Sequence, residues 1–301
     1  MKNLLAGIFI FGLLVNFTSC KPKTEKVETE EDVTIVQHYS EYPPTYHHEL
    51  ALEVLDASME WIGNFNKGNV QGCVDGYTDN AEMSALPFGI KKGKEEISEF
   101  WTSLVKKSGA KNIVYTNVSV EIASKNIAFL SANWSMNIGE GIIFQEKWEK
   151  INGKWILTYD NFQVLEQYKS PKKNPTNPVG DHLHLKTIIN NSKKWIEDFN
   201  SGKGEILRES YTSDARLNAT PFENIDGNEG IQKFWSKMIS DGANNLTFHN
   251  PTFKIKTKNS AYISSRWSLN IGEGKIYQEK WDLVDGKWKM SYDEFRMFKK
   301  Y

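Results

Sequence analysis

The spacing of hydrophobic positions divides the chain into two stretches that predict the same series of elements. Near residues 51–65 and again near 185–199, apolar side chains recur every three or four positions, which predicts an amphipathic helix at the start of each stretch. An Asn-x-Gly sequence ends each of these helices. A shorter helix is predicted at 70–77, and a second amphipathic helix at 94–107.

From residue 112 onward the period changes to about two, and β-branched residues become frequent. This predicts strands near 113–123, 126–138, 142–151 and 154–162. Asn152-Gly153 is a strong signal for a two-residue hairpin turn, and the run from Ile138 to Gly141 predicts another turn. Helices followed by antiparallel strands indicate an α+β architecture.

One long block of sequence occurs twice. Residues 134–148 read WSMNIGEGIIFQEKW and residues 267–281 read WSLNIGEGKIYQEKW, at an offset of 133. Up to Trp235 the offset between matching residues is 134, so repeat 2 has lost one residue near the end of the second amphipathic helix, where we expect a turn. All ten tryptophans form aligned pairs: Trp61 with Trp195, Trp101 with Trp235, Trp134 with Trp267, Trp148 with Trp281, and Trp155 with Trp288.

These patterns predict five segments. They are a signal peptide at 1–20, a disordered tether at 21–46, repeat 1 at 47–166, a proline-rich linker at 167–180 and repeat 2 at 181–301.

The first segment has the composition of an export signal. Lys2 precedes an apolar run that is too short to span a bilayer comfortably, and Phe17-Thr18-Ser19-Cys20 ends it. This ending resembles a bacterial lipoprotein signal, which implies lipidation of Cys20. We therefore expect an exported protein, lipid-anchored in the bacterial cell envelope, at the outer membrane or in the periplasm. An ordinary cleaved signal is the alternative.

Composition narrows the classes of partner. The net charge is −1, from 37 basic and 38 acidic residues, so no basic excess indicates a nucleic-acid partner. Membrane association is expected only through the lipid anchor. Cys73 is interpreted as a buried apolar group, and no disulfide framework is predicted. His182-x-His184 is interpreted as a solvated helix start, and neither a metal nor a cofactor is predicted.

Each repeat resembles the nuclear transport factor 2-like superfamily, in particular its SnoaL-like members. The matching features are Phe-Asn-x-Gly at 65–68 and 199–202, Tyr-Thr at 77–78 and 211–212, and Gly-Lys-Trp at 153–155 and 286–288. The resemblance covers nearly all of 47–301. It implies two tandem cone-shaped domains, each with N-terminal helices packed on a curved, mostly antiparallel sheet around a pocket. Members include isomerases, dehydratases, cyclases and binding modules, so the resemblance selects no function.

Strand alternation predicts which side chains line each cone. It places Glu146 and Tyr159 inward and Asp160 on the opposite face. The aromatic residues predicted to line the pockets and contact a ligand are Trp61, Tyr77, Trp101, Trp134, Phe144, Trp148 and Tyr159 in repeat 1, and Trp195, Tyr211, Trp235, Trp267, Tyr277, Trp281 and Tyr292 in repeat 2. Core packing is the alternative for each tryptophan.

Glu146 and its copy Glu279 are the candidate catalytic residues. A carboxylate between aromatic side chains on an apolar face has a raised pKa and can serve as a general acid or base. The leading hypothesis is binding of a small apolar or aromatic ligand, with these glutamates orienting a polar group. The second is an isomerase, dehydratase or cyclase that uses them as acid or base. The third is an interaction scaffold whose cones are filled by their own aromatic side chains.

The outer sheet face is polar in both repeats. Ser135, Asn137, Gln145 and Lys147 share this face in repeat 1, and their copies do so in repeat 2. Because a polar face occurs in both copies, we expect it to mediate intramolecular docking of the two domains. Ordinary cross-strand pairing on a wet sheet is the alternative.

Overall fold

A computed structural model of the chain describes residues 42–173 and 177–301, and its elements run in the same order twice. The predicted signal peptide, most of the tether and residues 174–176 of the linker lie outside the described residues. Within those two ranges, no helix is both long and apolar enough to cross a membrane.

Both repeats begin with helices and end with four long strands. The elements of repeat 1 are α1 (Tyr46–Asn66), α2 (Val70–Asp75), β1 (Tyr77–Leu86), β2 (Gly89–Lys92), α3 (Gly93–Thr102), β3 (Val114–Ser124), β4 (Ile127–Met136), β5 (Gly139–Ile151) and β6 (Lys154–Gln167). The elements of repeat 2 are α4 (Gly180–Asn200), a 3-10 helix (Gly204–Ser210), β7 (Tyr211–Thr220), β8 (Glu223–Asp226), α5 (Asn228–Ser240), β9 (Thr247–Thr257), β10 (Ser260–Leu269), β11 (Gly272–Val284) and β12 (Lys287–Lys300).

The strands form one sheet in the order β2-β1-β6-β5-β4-β3-β9-β10-β11-β12-β7-β8. Pairing is antiparallel except between β1 and β6 and between β7 and β12. The predicted fold class, α+β with helices packed on a curved, mostly antiparallel sheet, is confirmed. Continuity of the sheet across both repeats is a feature that the hydrophobic pattern does not predict.

An asparagine fastens each opening helix to the sheet. Asn66 Nδ2 donates to Ile113 O at 2.9 Å, and Asn66 Oδ1 accepts from Ile113 N at 2.6 Å. Asn200 makes the same two bonds with Leu246. Gly68 then turns the chain with φ of +70°, a conformation that glycine adopts without strain. The Phe-Asn-x-Gly pattern therefore has a structural cause in both repeats.

The repeats join edge to edge at β3 and β9. Val120 pairs with Phe253, its own equivalent in the other repeat, so the contact has pseudo-two-fold symmetry. The two repeats do contact each other within the chain, but through these strand edges and not through the predicted polar face. Lys147 of the polar face forms an ion pair with Glu149, and Asn137 bonds to the loop before β3, both within repeat 1. Edge pairing satisfies backbone groups that an open strand would leave unpaired.

Buried histidines lie between the repeats. His48 Nε2 is 3.1 Å from Ser192 Oγ, and His182 Nε2 is 3.0 Å from Ser58 Oγ, so equivalent residues exchange the same contact. Both histidine side chains are 0% exposed. The interpretation of His182 as part of a solvated helix start is therefore wrong. Burial lowers the pKa of each imidazole to about 3, which keeps both neutral.

Glycines near the hairpins serve two different purposes. Asn152 and Gly153 have φ of +51° and +80°, which confirms the predicted two-residue turn. The other turn, predicted at Ile138 to Gly141, lies earlier, and Gly141 is part of β5. A Cβ on Gly141 would lie 2.6 Å from Trp134 Cζ2 and 1.9 Å from Gln163 O. This glycine therefore allows close packing of the Trp134 ring.

Candidate functional site

Repeat 1 contains a cavity of about 530 Å³, whereas the equivalent space in repeat 2 is about 30 Å³. The first falls within the size range of small-molecule pockets, and the second holds roughly one water molecule. The sequence predicts a ligand in one or both cones, and these volumes leave room for one in repeat 1. Residues that line the larger cavity include the aromatic Trp61, Phe88, Phe100, Trp101, Trp134 and Phe162 and the polar Ser103, Ser108, Tyr115, Asp160, Gln167 and Tyr168.

The extra residue of repeat 1 lies within a helix and not in a turn, contrary to the prediction. Residues 103–107 continue α3 as a π-helical turn, in which Ser108 N donates to Ser103 O at 3.1 Å. One inserted residue produces such a turn. None of its side chains is buried, and Leu104 lines the cavity. In repeat 2, α5 continues without this turn and buries Met238 at the closed space.

Differences in side chains between the repeats account for the rest of the difference in cavity volume. Val164 of β6 lines the open cavity, and Met297 stands at the equivalent position of β12 and lines the closed one. The flexible side chain of methionine fills irregular gaps. Together with Met238, it explains why two similar frames enclose such different volumes.

Two buried carboxyl groups lie side by side beneath the cavity of repeat 1. Glu146 of β5 and Asp160 of β6 are paired residues of adjacent strands, and each is 4% exposed. Tyr115 Oη donates to Glu146 Oε1 at 3.1 Å, and Trp148 Nε1 donates to Glu146 Oε2 at 3.0 Å. Tyr77 Oη donates to Asp160 Oδ2 at 2.7 Å. Of the two carboxyls, Asp160 is the one that lines the cavity.

The environment of this pair opposes ionisation. Burial raises the pKa of Glu146, and the neighbouring Asp160 raises it further, while the Trp148 and Tyr115 donors act in the opposite direction. Burial also raises the pKa of Asp160 against the effect of Tyr77. The pair therefore retains a proton at a pH where exposed carboxyls have lost theirs. Such a pair can hold or exchange a proton at the cavity wall.

Repeat 2 carries the same carboxyl pair with fewer donors. Trp281 Nε1 donates to Glu279 Oε2 at 3.1 Å, and Tyr211 Oη donates to Asp293 Oδ2 at 2.9 Å. Phe248 stands where repeat 1 has Tyr115, so Glu279 lacks the second donor. Burial and the adjacent Asp293 hold the pKa of Glu279 well above its ordinary value.

The structure brings six of the predicted aromatic residues to the two spaces and places others behind the walls. Trp61, Trp101 and Trp134 line the open cavity, and Trp195, Trp235 and Trp267 line the closed one. Glu279 lines the closed space, whereas Glu146 lies behind the open one. Four other predicted pocket residues are fully buried but do not line either space: Tyr77, Trp148, Tyr211 and Trp281.

Four predicted pocket residues lie on the wrong face. The prediction is wrong for Phe144 and Tyr277, which are 49% and 44% exposed, and for Tyr159 and Tyr292, which are half-buried on the outer face.

Two β-bulges in each repeat cause these errors, at equivalent positions. Ile143 and Gln145 oppose consecutive residues of β6, so Phe144 is an extra residue that reverses the alternation of β5. A second irregularity, at Thr158, turns Tyr159 outward. It also turns Asp160 inward, which corrects the prediction that Asp160 faces away from the cavity.

The residues that strand alternation missed are Asp160 and Tyr115. Asp160 had one signal, since an aspartate stands at the same position in both repeats. For Tyr115 the comparison of the repeats argues against a role, because repeat 2 has phenylalanine at the equivalent position. In the part of the chain that the structure describes, no cluster of three or more His, Cys, Asp or Glu is placed to hold a metal ion.

Comparison with known proteins gives similarity to solved structures alone. No protein-family model matches the chain, and no curated protein matches it. A ketosteroid isomerase-like protein from Erwinia carotovora atroseptica is 17% identical with a TM-score of 0.35, over 39% of this chain and 97% of its own. An NTF2-like protein from Novosphingobium aromaticivorans is 12% identical with a TM-score of 0.36, over 42% and 92%. A candidate scytalone dehydratase from the same species is 15% identical with a TM-score of 0.37, over 40% and 89%.

Proposed function

We propose that this chain binds a small, flat, largely apolar ligand in the cavity of repeat 1, and that repeat 2 is a closed structural partner. The observation that carries the proposal is the contrast between about 530 Å³ and about 30 Å³ in two copies of one frame. Repeat 2 demonstrates that this frame can close on its own side chains. An open space in repeat 1 therefore requires an explanation, and a ligand provides one.

The walls of the cavity favour an aromatic or polycyclic ligand. The rings of Trp101 and Phe162 stack with centroids 5.9 Å apart, and Trp134 meets Phe162 edge to face at 6.3 Å. Flat apolar molecules gain from burial against such surfaces. The polar residues at the outer end, Ser103 and Ser108, are not buried.

Matched substitutions at the mouth of the cavity test this function. Ser108 is exposed and lines the mouth, and Asp241 occupies the equivalent exposed position of repeat 2. We expect Ser108→Tyr to weaken binding of pyrene at least about tenfold, because the new ring occupies the entrance. Asp241→Tyr should bind pyrene like the unaltered protein. Energy transfer from tryptophan to pyrene measures both affinities. Failure of pyrene to bind, or equal affinity of both variants, would contradict the proposal.

A second candidate function is acid–base catalysis of the isomerase or dehydratase kind. The buried carboxyl pair of Glu146 and Asp160 at the cavity wall favours it. We expect the protein to accelerate exchange of the α-protons of 2-tetralone in deuterated water, followed by NMR. Asp160→Asn should abolish this acceleration, and Asp293→Asn in the closed repeat should not. No acceleration by the unaltered protein would leave binding as the function.

Export and lipid anchoring at Cys20 complete the proposal. They are supported by the sequence of the first twenty residues, from Lys2 to the cysteine. In a bacterial host we expect the protein to fractionate with membranes and to incorporate a labelled fatty acid, and Cys20→Ala to abolish both. Membrane fractionation of Cys20→Ala would contradict anchoring through this residue.

A further inference from the structure

Three cationic side chains form a row across the outer face of the sheet in repeat 2, and we call them the basic row. Arg266 of β10 pairs with Lys275 of β11, and Lys275 pairs with Arg296 of β12. Neighbouring members therefore stand on adjacent strands, whose backbones are about 5 Å apart. All three side chains are exposed. A residue next to each of them in sequence lines the closed space, which places the basic row on the opposite side of the sheet.

No acidic side chain neutralises the basic row. Within residues 42–173 and 177–301, none of its members forms an ion pair. Glu273 and Glu294, two positions away along β11 and β12, accept hydrogen bonds from tyrosine hydroxyls instead. Lys275 and Arg296 lie 5.3 Å and 6.0 Å from the centre of the Tyr277 ring. Like charges on adjacent strands repel each other, so the basic row destabilises the sheet that carries it.

Repeat 1 has no charge at the same three positions. Asn133, Ile142 and Gln163 pair with one another there in the same way. Three further exposed lysines of repeat 2 stand where repeat 1 has glutamate or glutamine: Lys254 for Glu121, Lys299 for Glu166 and Lys300 for Gln167. The frame therefore does not need cations at these sites. The net charge of −1 conceals this separation of charge between the repeats, so it does not exclude a basic surface.

We propose that the outer face of repeat 2 binds the phosphate headgroups of anionic phospholipids at a membrane surface. The cations lie on an open sheet face and not around a pocket, so they match a surface with many anionic groups better than one enclosed anion. Lys and Arg side chains are attracted to such a surface. Tyr277 and Phe298, which are 44% and 60% exposed, flank the basic row and supply aromatic rings suited to the interface.

The choice of a membrane among anionic partners rests on the lipid anchor proposed at Cys20, which would hold this face near a bilayer. Ligand binding in repeat 1 has no part in it. Each cation near an anionic bilayer strengthens binding about fivefold, so the basic row contributes about 100-fold. Salt screens this attraction beyond about 10 Å, which makes it reversible. The basic row by itself therefore does not retain the chain in washed membranes, and Cys20 remains necessary for stable fractionation.

Co-sedimentation with vesicles tests the proposal. We would use residues 20–301 with Cys20→Ala, which is the exported chain without its lipid. It should bind vesicles made of phosphatidylcholine and phosphatidylglycerol in equal parts, and it should not bind vesicles of phosphatidylcholine alone. Raising the salt concentration from about 0.1 M to about 1 M should release it. These comparisons need no variant of the basic row and so do not depend on the folding of one.

Matched triple variants locate the binding face. Removal of the basic row should weaken binding to the anionic vesicles about 100-fold. The substitutions are Arg266→Asn, Lys275→Gln and Arg296→Gln. A control removes the same charge from exposed positions of repeat 1 and should weaken binding less than about threefold, because salt screens distant charges. Its substitutions are Lys67→Gln, Lys107→Gln and Lys154→Gln.

Several results would overturn the proposal. They are equal binding to both kinds of vesicle, no binding to the anionic vesicles, and equal weakening by the two triple variants. Inorganic phosphate at constant ionic strength should not displace the vesicles, and displacement would indicate a site for a single anion instead. Binding to dextran sulfate but not to vesicles would identify a soluble polyanion as the partner. The anchor fails separately, through membrane fractionation of Cys20→Ala in washed cell membranes.

Discussion

Replacing His182 with glutamine tests the buried interface between the repeats through the pH dependence of stability. The His182 side chain is 0% exposed, and its Nδ1 has no hydrogen-bond partner in the described part of the chain. Protonation would place an uncompensated charge between the repeats, which is why burial lowers its pKa from 6.5 to about 3. Glutamine keeps a polar group near Nε2, where Ser58 Oγ lies 3.0 Å away.

The size of the effect follows from the two pKa values. As pH falls below 6.5, His182 of the unfolded chain takes up a proton, whereas the folded chain stays neutral until about 3. The unfolded state binds more protons in this window, so the free energy of unfolding falls by ~1.4 kcal/mol per pH unit. Between about pH 7.5 and about pH 5 this loss amounts to ~2 kcal/mol, and the glutamine variant lacks it.

Urea denaturation followed by tryptophan fluorescence, at both pH values and for both proteins, measures the effect. The remaining titrating groups are common to both chains and cancel in the difference. Relative to the unaltered protein, His182→Gln should therefore gain ~2 kcal/mol on acidification. His48→Gln should behave in the same way, because His48 makes the equivalent contact with Ser192. A stability difference that is the same at both pH values would refute a neutral, buried His182.

Three further substitutions probe the site and its frame. Tyr115→Phe removes a hydrogen-bond donor from the buried Glu146 side chain. Urea denaturation should show a free energy of unfolding that is lower by ~1–3 kcal/mol. An unchanged free energy of unfolding would show that this hydrogen bond is unimportant. Glu146→Gln removes a group whose pKa is raised by burial. The unfolded chain loses that proton first, so on raising pH above about 5 the unaltered protein should lose ~1.4 kcal/mol per unit relative to the variant; parallel curves would contradict this. Gly141→Ala brings a methyl group against the Trp134 ring and should lower the free energy of unfolding by ~1–3 kcal/mol or more. The melting temperature should fall accordingly. An unchanged melting temperature would contradict the close packing.

Much of the fold follows from local patterns that the sequence displays directly. Helical periodicity, the change to a period of two and the Asn152-Gly153 turn are properties of short segments, and the duplication supplies each of them twice. The pairing of β3 with β9 depends on contacts between residues about 130 positions apart. No local pattern indicates which two strand edges pair, so the sequence places the contact between the repeats on the polar sheet face instead of at these edges.

The candidate site was predicted only in part, for an equally physical reason. Tryptophans on helices, such as Trp61 and Trp101, line the cavity because helical periodicity is regular. Strand alternation fails after a bulge, and the extra residues at Phe144 and Thr158 exchange inward and outward positions. Glu146 was predicted correctly as a buried carboxyl, yet its partner Asp160 is the one that reaches the cavity.

The sequence also contains two differences that accompany the closed cavity of repeat 2. One extra residue in repeat 1, and methionine in place of Val164 in repeat 2, are both visible when the repeats are aligned. Their effect on volume requires knowing that the insertion falls inside a helix at the cavity mouth. The sequence reveals the difference between the repeats but not its consequence for space.

The pairing of β3 with β9 allows the two halves of the molecule to diverge in role. In a dimer of identical subunits each substitution occurs twice, so a side chain that closes one pocket closes the other as well. Here Met297 and Phe248 occur in one half, while the other keeps Val164 and Tyr115. The closed half still supplies the strand edge that its neighbour requires. Covalent linkage of the repeats thus permits the two cavities to change independently, so that one half closes its cavity while the other keeps it open.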